Sequence, residues 1–251
     1  MNSPPVPSSL QVPQATAPRL IEAMAFDYDG TLATRGRVAE ETVAALERAR
    51  ASGLTLLMVT GRELPQLTEV FSRLDLFAVV VAENGALMHD PATGEARALG
   101  PPPPTAFVEA LKRRGVSPLS LGRCIVATLR RREADVRAAL AETGVDWRLI
   151  LNNESLMCLP PGVDKRSGLL AALARLGLPP ERVLGVGDAE NDAAFLAACG
   201  LSAAVANALP ELKRACDLVA GGEEGDGVVW LIERLLSGRL AGREDVQHAR
   251  P

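Results

Sequence analysis

Histidine, cysteine and aromatic residues are scarce in this 251-residue chain. It has two histidines, four cysteines, two tryptophans, one tyrosine and five phenylalanines. His89 and His248 stand far apart, and Cys124, Cys158, Cys199 and Cys216 form no Cys-x-x-Cys pair. That excludes a zinc site and a disulfide framework, and it points to reduced core thiols in a cytoplasmic protein. An aromatic content of 3% leaves no base-stacking surface. The 27 basic and 31 acidic residues give a net charge of -4, so nucleic acid is not an expected partner. No apolar run is long enough to span a bilayer, so neither is a membrane. Residues 1–18 hold five prolines and no signal-like apolar stretch. Residues 1–19 therefore read as a disordered Pro-rich tail.

At 47% hydrophobic and 23% charged, the chain has the composition of a globular domain, with length enough for a core and an insert. Apolar runs alternate with amphipathic stretches. Leu20 to Phe26, Leu54 to Val59, Phe77 to Val81 and Val183 to Val186 read as buried strands. Helices are expected over residues 39–52, after Leu64, over 166–176, 191–199, 208–215 and 227–236. Leu201 to Val205 and Leu218-Val219 are expected as short strands. Continuous apolar strands separated by helices indicate an α/β fold with a parallel sheet covered on both faces. The rhythm breaks after residue 85. Residues 86–160 read as a small α+β insert, with helices over 105–114 and 132–143 and a strand over Arg123 to Leu129. Trp147 to Leu151 and Ser155 to Leu159 suit an antiparallel pair. The core would comprise 20–85 and 161–237, followed by a flexible tail, 238–251.

The chemistry-bearing residues fall at strand and helix ends of that core. Asp27-Tyr28-Asp29-Gly30-Thr31 follows the first strand, and two carboxylates beside a buried strand need a partner, usually a hard metal ion. Thr60 and Gly61 close the second strand, Lys165 precedes a helix, and Asp188, Asn191 and Asp192 follow Gly187. In a parallel sheet these ends share one edge, where open α/β sheets keep their sites. Acidic groups, a lysine, a hydroxyl and free amides together suit a dianionic phosphate bridged to Mg²⁺. Taken singly, Lys165 reads as a solvated cation, and Asp188 and Asp192 as helix caps.

Five stretches in order, DYDGT (Asp27 to Thr31), VTGR (Val59 to Arg62), ENG (Glu83 to Gly85), GVDKRSGL (Gly162 to Leu169) and GDAEND (Gly187 to Asp192), carry a resemblance. The chain resembles the haloacid dehalogenase (HAD) superfamily phosphatases, specifically the Cof-type group with a C2B cap, over about residues 20–236. The resemblance implies a Rossmann-like core with an inserted cap. It implies Asp27 as nucleophile and Asp29 as acid and base. It implies Mg²⁺ held by the Asp27 carboxylate, the Asp29 carbonyl and Asp188. Thr60, Gly61, Lys165 and Asn191 would bind phosphoryl oxygens, with Asp192 in support.

The substrate expected from this resemblance is a small phosphorylated metabolite: a sugar phosphate, phosphoglycolate or a phosphoglycerate derivative. A phosphomutase or phosphotransferase on the same scaffold is the alternative. Arg62, Asn84, Arg123, Asn152, Asn153 and Glu154 are candidate substrate contacts, each with a competing reading as a turn or an ion pair. The expected oligomeric state is monomer or homodimer.

Overall fold

The computed structural model describes residues 21–152 and 154–240. The tails beyond these limits, and Asn153, lie outside the described residues.

The chain opens with strand β1 (Ala23–Phe26), helix α1 (Glu40–Ala51) and strand β2 (Thr55–Val59). Helix α2 (Leu64–Val70) and strand β3 (Val79–Ala82) follow. These are the expected α/β units, and β1, β2 and β3 pair in parallel. Two short strands the sequence reading left unassigned come next, β4 (Leu87–His89) and β5 (Ala96–Ala98). They add antiparallel strands to the edge of the same sheet, with Val81 opposite Met88 and Leu87 opposite Ala98. The turn Pro91 to Gly94 joins them as a hairpin. Residues 87–98, expected within the insert, thus belong to the core sheet by hydrogen bonding. Three-residue strands carry too little periodicity to announce themselves.

The insert holds α3 (Thr105–Arg113), β6 (Ser120–Leu121), β7 (Val126–Leu129), α4 (Glu133–Thr143), β8 (Arg148–Asn152) and β9 (Ser155–Leu159). Its sheet has the order β6-β7-β9-β8, and β8 pairs antiparallel with β9 as expected. The alternation along β9 sorts its side chains to two faces. Leu156 and Cys158 pack with Phe107, Val136 and Trp147 beneath the cap helices. Met157 and Leu159 pack with Cys124, Ile125 and Ala86 on the opposite face, towards the core.

The core resumes with α5 (Lys165–Leu176), β10 (Val183–Gly187), α6 (Ala193–Leu196), β11 (Leu201–Ala204), α7 (Pro210–Ala215), β12 (Leu218–Val219) and α8 (Glu224–Leu236). The full sheet runs β12-β11-β10-β1-β2-β3-β4-β5. Chain order reverses on the two sides of β1, which places a crevice at the C-terminal ends of β10, β1 and β2. Buried Ala, Val, Leu and Met from these strands form the main core. Helix α1 packs on α8, and α5 on α6.

The loop after β3 fixes where α5 begins. Glu83 and Asn84 both hold left-handed backbone, at φ 52° and 53°, and Gly85 follows at φ 106°. A Cβ on Gly85 would stand 1.8 Å from the Asp164 carbonyl oxygen. Only glycine fits there, because both its φ and this close approach exclude a side chain. Asp164 then caps α5 in a reciprocal capping box: its carboxylate accepts from Ser167 N at 2.7 Å, and the Ser167 hydroxyl faces Asp164 N at 3.0 Å. This contact positions Lys165, the first residue of α5. Gly85→Ala is therefore expected to destabilise the protein by roughly 3 kcal/mol or more, measured by urea denaturation. Wild-type stability would show that the contact relaxes at little cost.

Candidate active site

Three neighbouring strands deliver the polar groups to the crevice. Asp27 follows β1, and its backbone N–H continues the ladder to the Val186 carbonyl at 3.0 Å. Thr60 follows β2, with its N–H donating to the Val81 carbonyl at 2.8 Å. Asp188 follows β10. Lys165 reaches in from the first turn of α5, where the helix dipole disfavours a cation. Its side chain is 1% exposed. Its ammonium donates to Asp27 Oδ1 and, at 2.5 Å, to Asp192 Oδ1.

Asp192 is wholly buried and has three jobs. Its Oδ1 takes the Lys165 ammonium, while its Oδ2 accepts the N–H groups of Asp188 at 2.9 Å and Ala189 at 3.0 Å. It therefore shapes the loop that carries Asp188. Asp188 in turn accepts from the Thr31 hydroxyl at 3.1 Å. Gly30, at φ 82°, lies so close that a Cβ would meet Asp188 Oδ2 at 2.5 Å. The Gly30 carbonyl is held by Asn207 Nδ2 at 2.8 Å. Sequence reasoning named the DYDGT stretch but gave Thr31 no role, and it missed Asn207. Its place just after the expected strand Leu201 to Val205 is the signal that could have found Asn207.

Carboxylate oxygens of Asp27, Asp188 and Asp192 lie within 4.8 Å of one another. Burial, then the Asp192 charge, raise the Asp27 carboxyl well above the usual carboxylate range, against the pull of Lys165. Burial and Asp192 likewise push Asp188 up to about 6. Burial works to lower Lys165, but Asp192 and Asp27 outweigh it and the ammonium is held above its ordinary value. Three carboxylates against one ammonium leave two negative charges without compensation in a buried crevice. One divalent cation cancels both, and oxygen ligands suit a hard cation. The residues present thus fit a metal ion. The Asp29 side chain is not in this cluster.

Asp29, expected to keep its carboxylate free, is gripped by Arg62. The Nε and Nη2 of Arg62 donate to Asp29 Oδ2 and Oδ1 at 2.7 and 2.6 Å, a two-pronged ion pair. The Thr60 hydroxyl accepts from Arg62 N at 3.1 Å. Asn191, expected to reach phosphate, donates to Asn84 Oδ1 at 3.0 Å, and its own buried Oδ1 has no donor among the described residues. Gly61 faces the cap: a Cβ there would be 3.4 Å from Met157 Sδ.

The expected cap contacts divide. Arg123 donates from its guanidinium to the Ala96 carbonyl at 2.9 Å. Its backbone has the larger role. The N–H groups of Arg123 and Cys124 donate to the buried Glu83 carboxylate at 2.9 and 2.8 Å. Asn152 Oδ1 is buried without a partner among the described residues, and β8 packs against residues 190–192. Glu154 is exposed at the hairpin tip, and Asn153 lies outside the described residues.

The sequence profile of the haloacid dehalogenase-like hydrolases matches residues 24–100 and 141–232. A phosphoglycolate phosphatase of Methanothermobacter thermautotrophicus is 32% identical over 224 residues, which are 86% of this chain and 99% of that protein. Protein 0175 of Thermoplasma acidophilum superposes with a TM-score of 0.73 at 19% identity, covering 86% and 99% of the two chains. A sugar phosphatase of HAD subclass IIB does so with a TM-score of 0.68 at 19% identity, covering 86% and 98%. The chain belongs to the haloacid dehalogenase-like hydrolases.

The raised pKa of Asp188 has a consequence for stability. A carboxyl whose folded pKa lies near 6, above its ordinary 3.8, favours the fold while protonated. That stabilisation is fully present below about pH 4 and is lost as pH rises through about 6. In EDTA at pH 7.5, Asp188→Asn is expected to be more stable than wild type by on the order of 2 kcal/mol, with the difference vanishing towards pH 4. Calorimetric melts across that range check it. A variant less stable than wild type at pH 7.5 would mean that the Asp188 charge is already compensated.

Proposed function

We propose that this hydrolase is a Mg²⁺-dependent phosphomonoesterase that acts on phosphoglycolate through an aspartyl-phosphate on Asp27. The observation that carries the reading is the buried cluster of Asp27, Asp188, Asp192 and Lys165 at the C-terminal ends of β1 and β10. The relative from Methanothermobacter supports phosphoglycolate as the ester.

Asp27 and Asp188, with the Asp29 carbonyl, would hold Mg²⁺, which supplies positive charge to the phosphoryl oxygens. An anionic nucleophile meets an anionic ester, so Lys165 serves the same need from the protein side. The Thr60 hydroxyl and the Gly61 N–H orient the phosphoryl group. An Asp27 carboxylate oxygen attacks phosphorus, the bond to the leaving oxygen breaks, and Asp29 gives that oxygen a proton. Water then attacks the phosphorus of the aspartyl-phosphate. Asp29 takes the proton from the water, and inorganic phosphate leaves with the Asp27 carboxylate restored. Asp192 keeps Lys165 and the Asp188 loop in place throughout.

Asp27→Asn is expected to lower kcat for p-nitrophenyl phosphate by at least ~10³-fold while the protein still folds. EDTA should abolish wild-type turnover, and added Mg²⁺ should restore it. An Asp27→Asn protein working at the wild-type rate would sink the mechanism. Turnover that persists in EDTA would sink the metal assignment.

A further inference from the structure

Asp29 and Arg62 stand in an arrangement the chemistry above must disturb. The proposed acid and base is engaged at both oxygens by one guanidinium. Arg62 donates one hydrogen bond to each Asp29 oxygen, so the pairing holds Asp29 as the acceptor-only carboxylate and must loosen for Asp29 to carry a proton to a leaving oxygen.

The backbone of Arg62 is anchored on both sides, and its guanidinium lies against Tyr28 and Gly36. Arg62 N is fixed to the Thr60 hydroxyl at 3.1 Å, and the Arg62 carbonyl accepts from Glu83 N at 2.9 Å. Its Cζ lies 5.3 Å from the centre of the buried Tyr28 ring. Gly36 leaves room for Nη2, since a Cβ there would come within 3.1 Å. The Tyr28 hydroxyl donates to the Gly36 carbonyl at 3.1 Å and closes that wall. The Arg62 side chain nevertheless keeps 26% of its surface exposed, and that of Asp29 keeps 43%. The pair is therefore a part-exposed fork holding an exposed carboxylate.

Other cations considered for substrate binding are committed elsewhere. Lys165 is buried between Asp27 and Asp192. Arg123 donates to the Ala96 carbonyl. Arg62 is a part-exposed cation beside the acid, so it is also beside whatever is attached to the leaving oxygen. In phosphoglycolate a carboxylate sits one carbon from that oxygen. Guanidinium forks recognise carboxylates by two parallel hydrogen bonds.

We infer that Arg62 is the specificity determinant for a carboxylate on the leaving group, and that Asp29 occupies its fork until the substrate carboxylate displaces it. Binding of the acidic ester then does two things at once. It anchors the leaving group, and it releases the Asp29 side chain towards the bridging oxygen. The inference rests on the phosphatase reading and supplies its substrate recognition.

The test compares two esters that differ in the carboxylate: 2-phosphoglycolate and 2-hydroxyethyl phosphate, with Mg²⁺ present. Arg62→Ala removes the anchor from phosphoglycolate alone and frees Asp29 for the ester without a carboxylate, so both effects lower the ratio of their kcat/KM values. In Arg62→Ala that ratio should fall on the order of 50-fold, chiefly through KM for phosphoglycolate, since charge-assisted pairs are worth that much. Arg62→Lys keeps the charge without the fork and should recover part of the ratio. Should Arg62→Ala turn over neither ester, calorimetric binding of 3-phosphonopropionate against propylphosphonate reads the same preference without chemistry. A wild type that prefers the carboxylated member, with the preference intact in Arg62→Ala, would overturn the role of Arg62 alone. A wild type that hydrolyses both esters with no preference would overturn both this role and phosphoglycolate as substrate.

Discussion

One buried ammonium underlies the site. Lys165 is closed off from solvent between Asp27 and Asp192, and without it two carboxylates would share a low-dielectric pocket with nothing to balance them. Removing one partner of such a group typically costs about 3–5 kcal/mol, because the charge left behind stays buried. The surrounding architecture serves this contact. Asp164 caps α5 so that Lys165 opens the helix, and Gly85 lets the helix come close enough for the lysine to reach β1. Asp192 then transmits the arrangement to the Asp188 loop through two backbone amides. Two negative charges remain, which is the physical basis for a divalent cation in this site.

The loop of Glu83, Asn84 and Gly85 joins parts of the molecule that lie far apart in sequence. Glu83 receives the cap at Arg123 and Cys124, Asn84 receives Asn191 from the β10 side, and Gly85 receives the start of α5. Two consecutive left-handed residues with side chains are costly, and they persist where surrounding contacts determine them. Here the contacts are the cap amides and the Asn191 amide. The alternation along β9 completes the link, with Met157 turned to Gly61 and Cys158 turned to the cap helices. Cap position and the geometry of the candidate site thus meet in the same few residues.

Much of this was legible in the sequence because the parallel sheet concentrates its chemistry at strand ends. Asp27, Thr60 and Asp188 each follow a continuous apolar run, so locating the strands located the residues. The β8 and β9 hairpin was legible for the same reason of pattern. β4 and β5 were not, since three residues cannot show a period. Pair interactions were also hidden. Nothing in the spacing of Asp29 and Arg62 announces a two-pronged bridge, because it depends on two loops meeting across the crevice. Arg123 looked like a substrate contact by type and position, yet its backbone N–H does the joining and its guanidinium turns to Ala96. Asp192 was expected to orient Lys165 or a metal-bound water; its ion pair with Lys165 and its grip on the Asp188 loop appear only in the fold.

In the proposed mechanism the Lys165-bound carboxylate of Asp27 takes the phosphoryl group. Acid-quenched enzyme in steady-state turnover of phosphoglycolate with Mg²⁺, digested and read by mass spectrometry, tests it directly. A phosphoryl adduct is expected on Asp27 itself. An adduct on any other residue, or full turnover with Asp27 unmodified at every quench time, would contradict it.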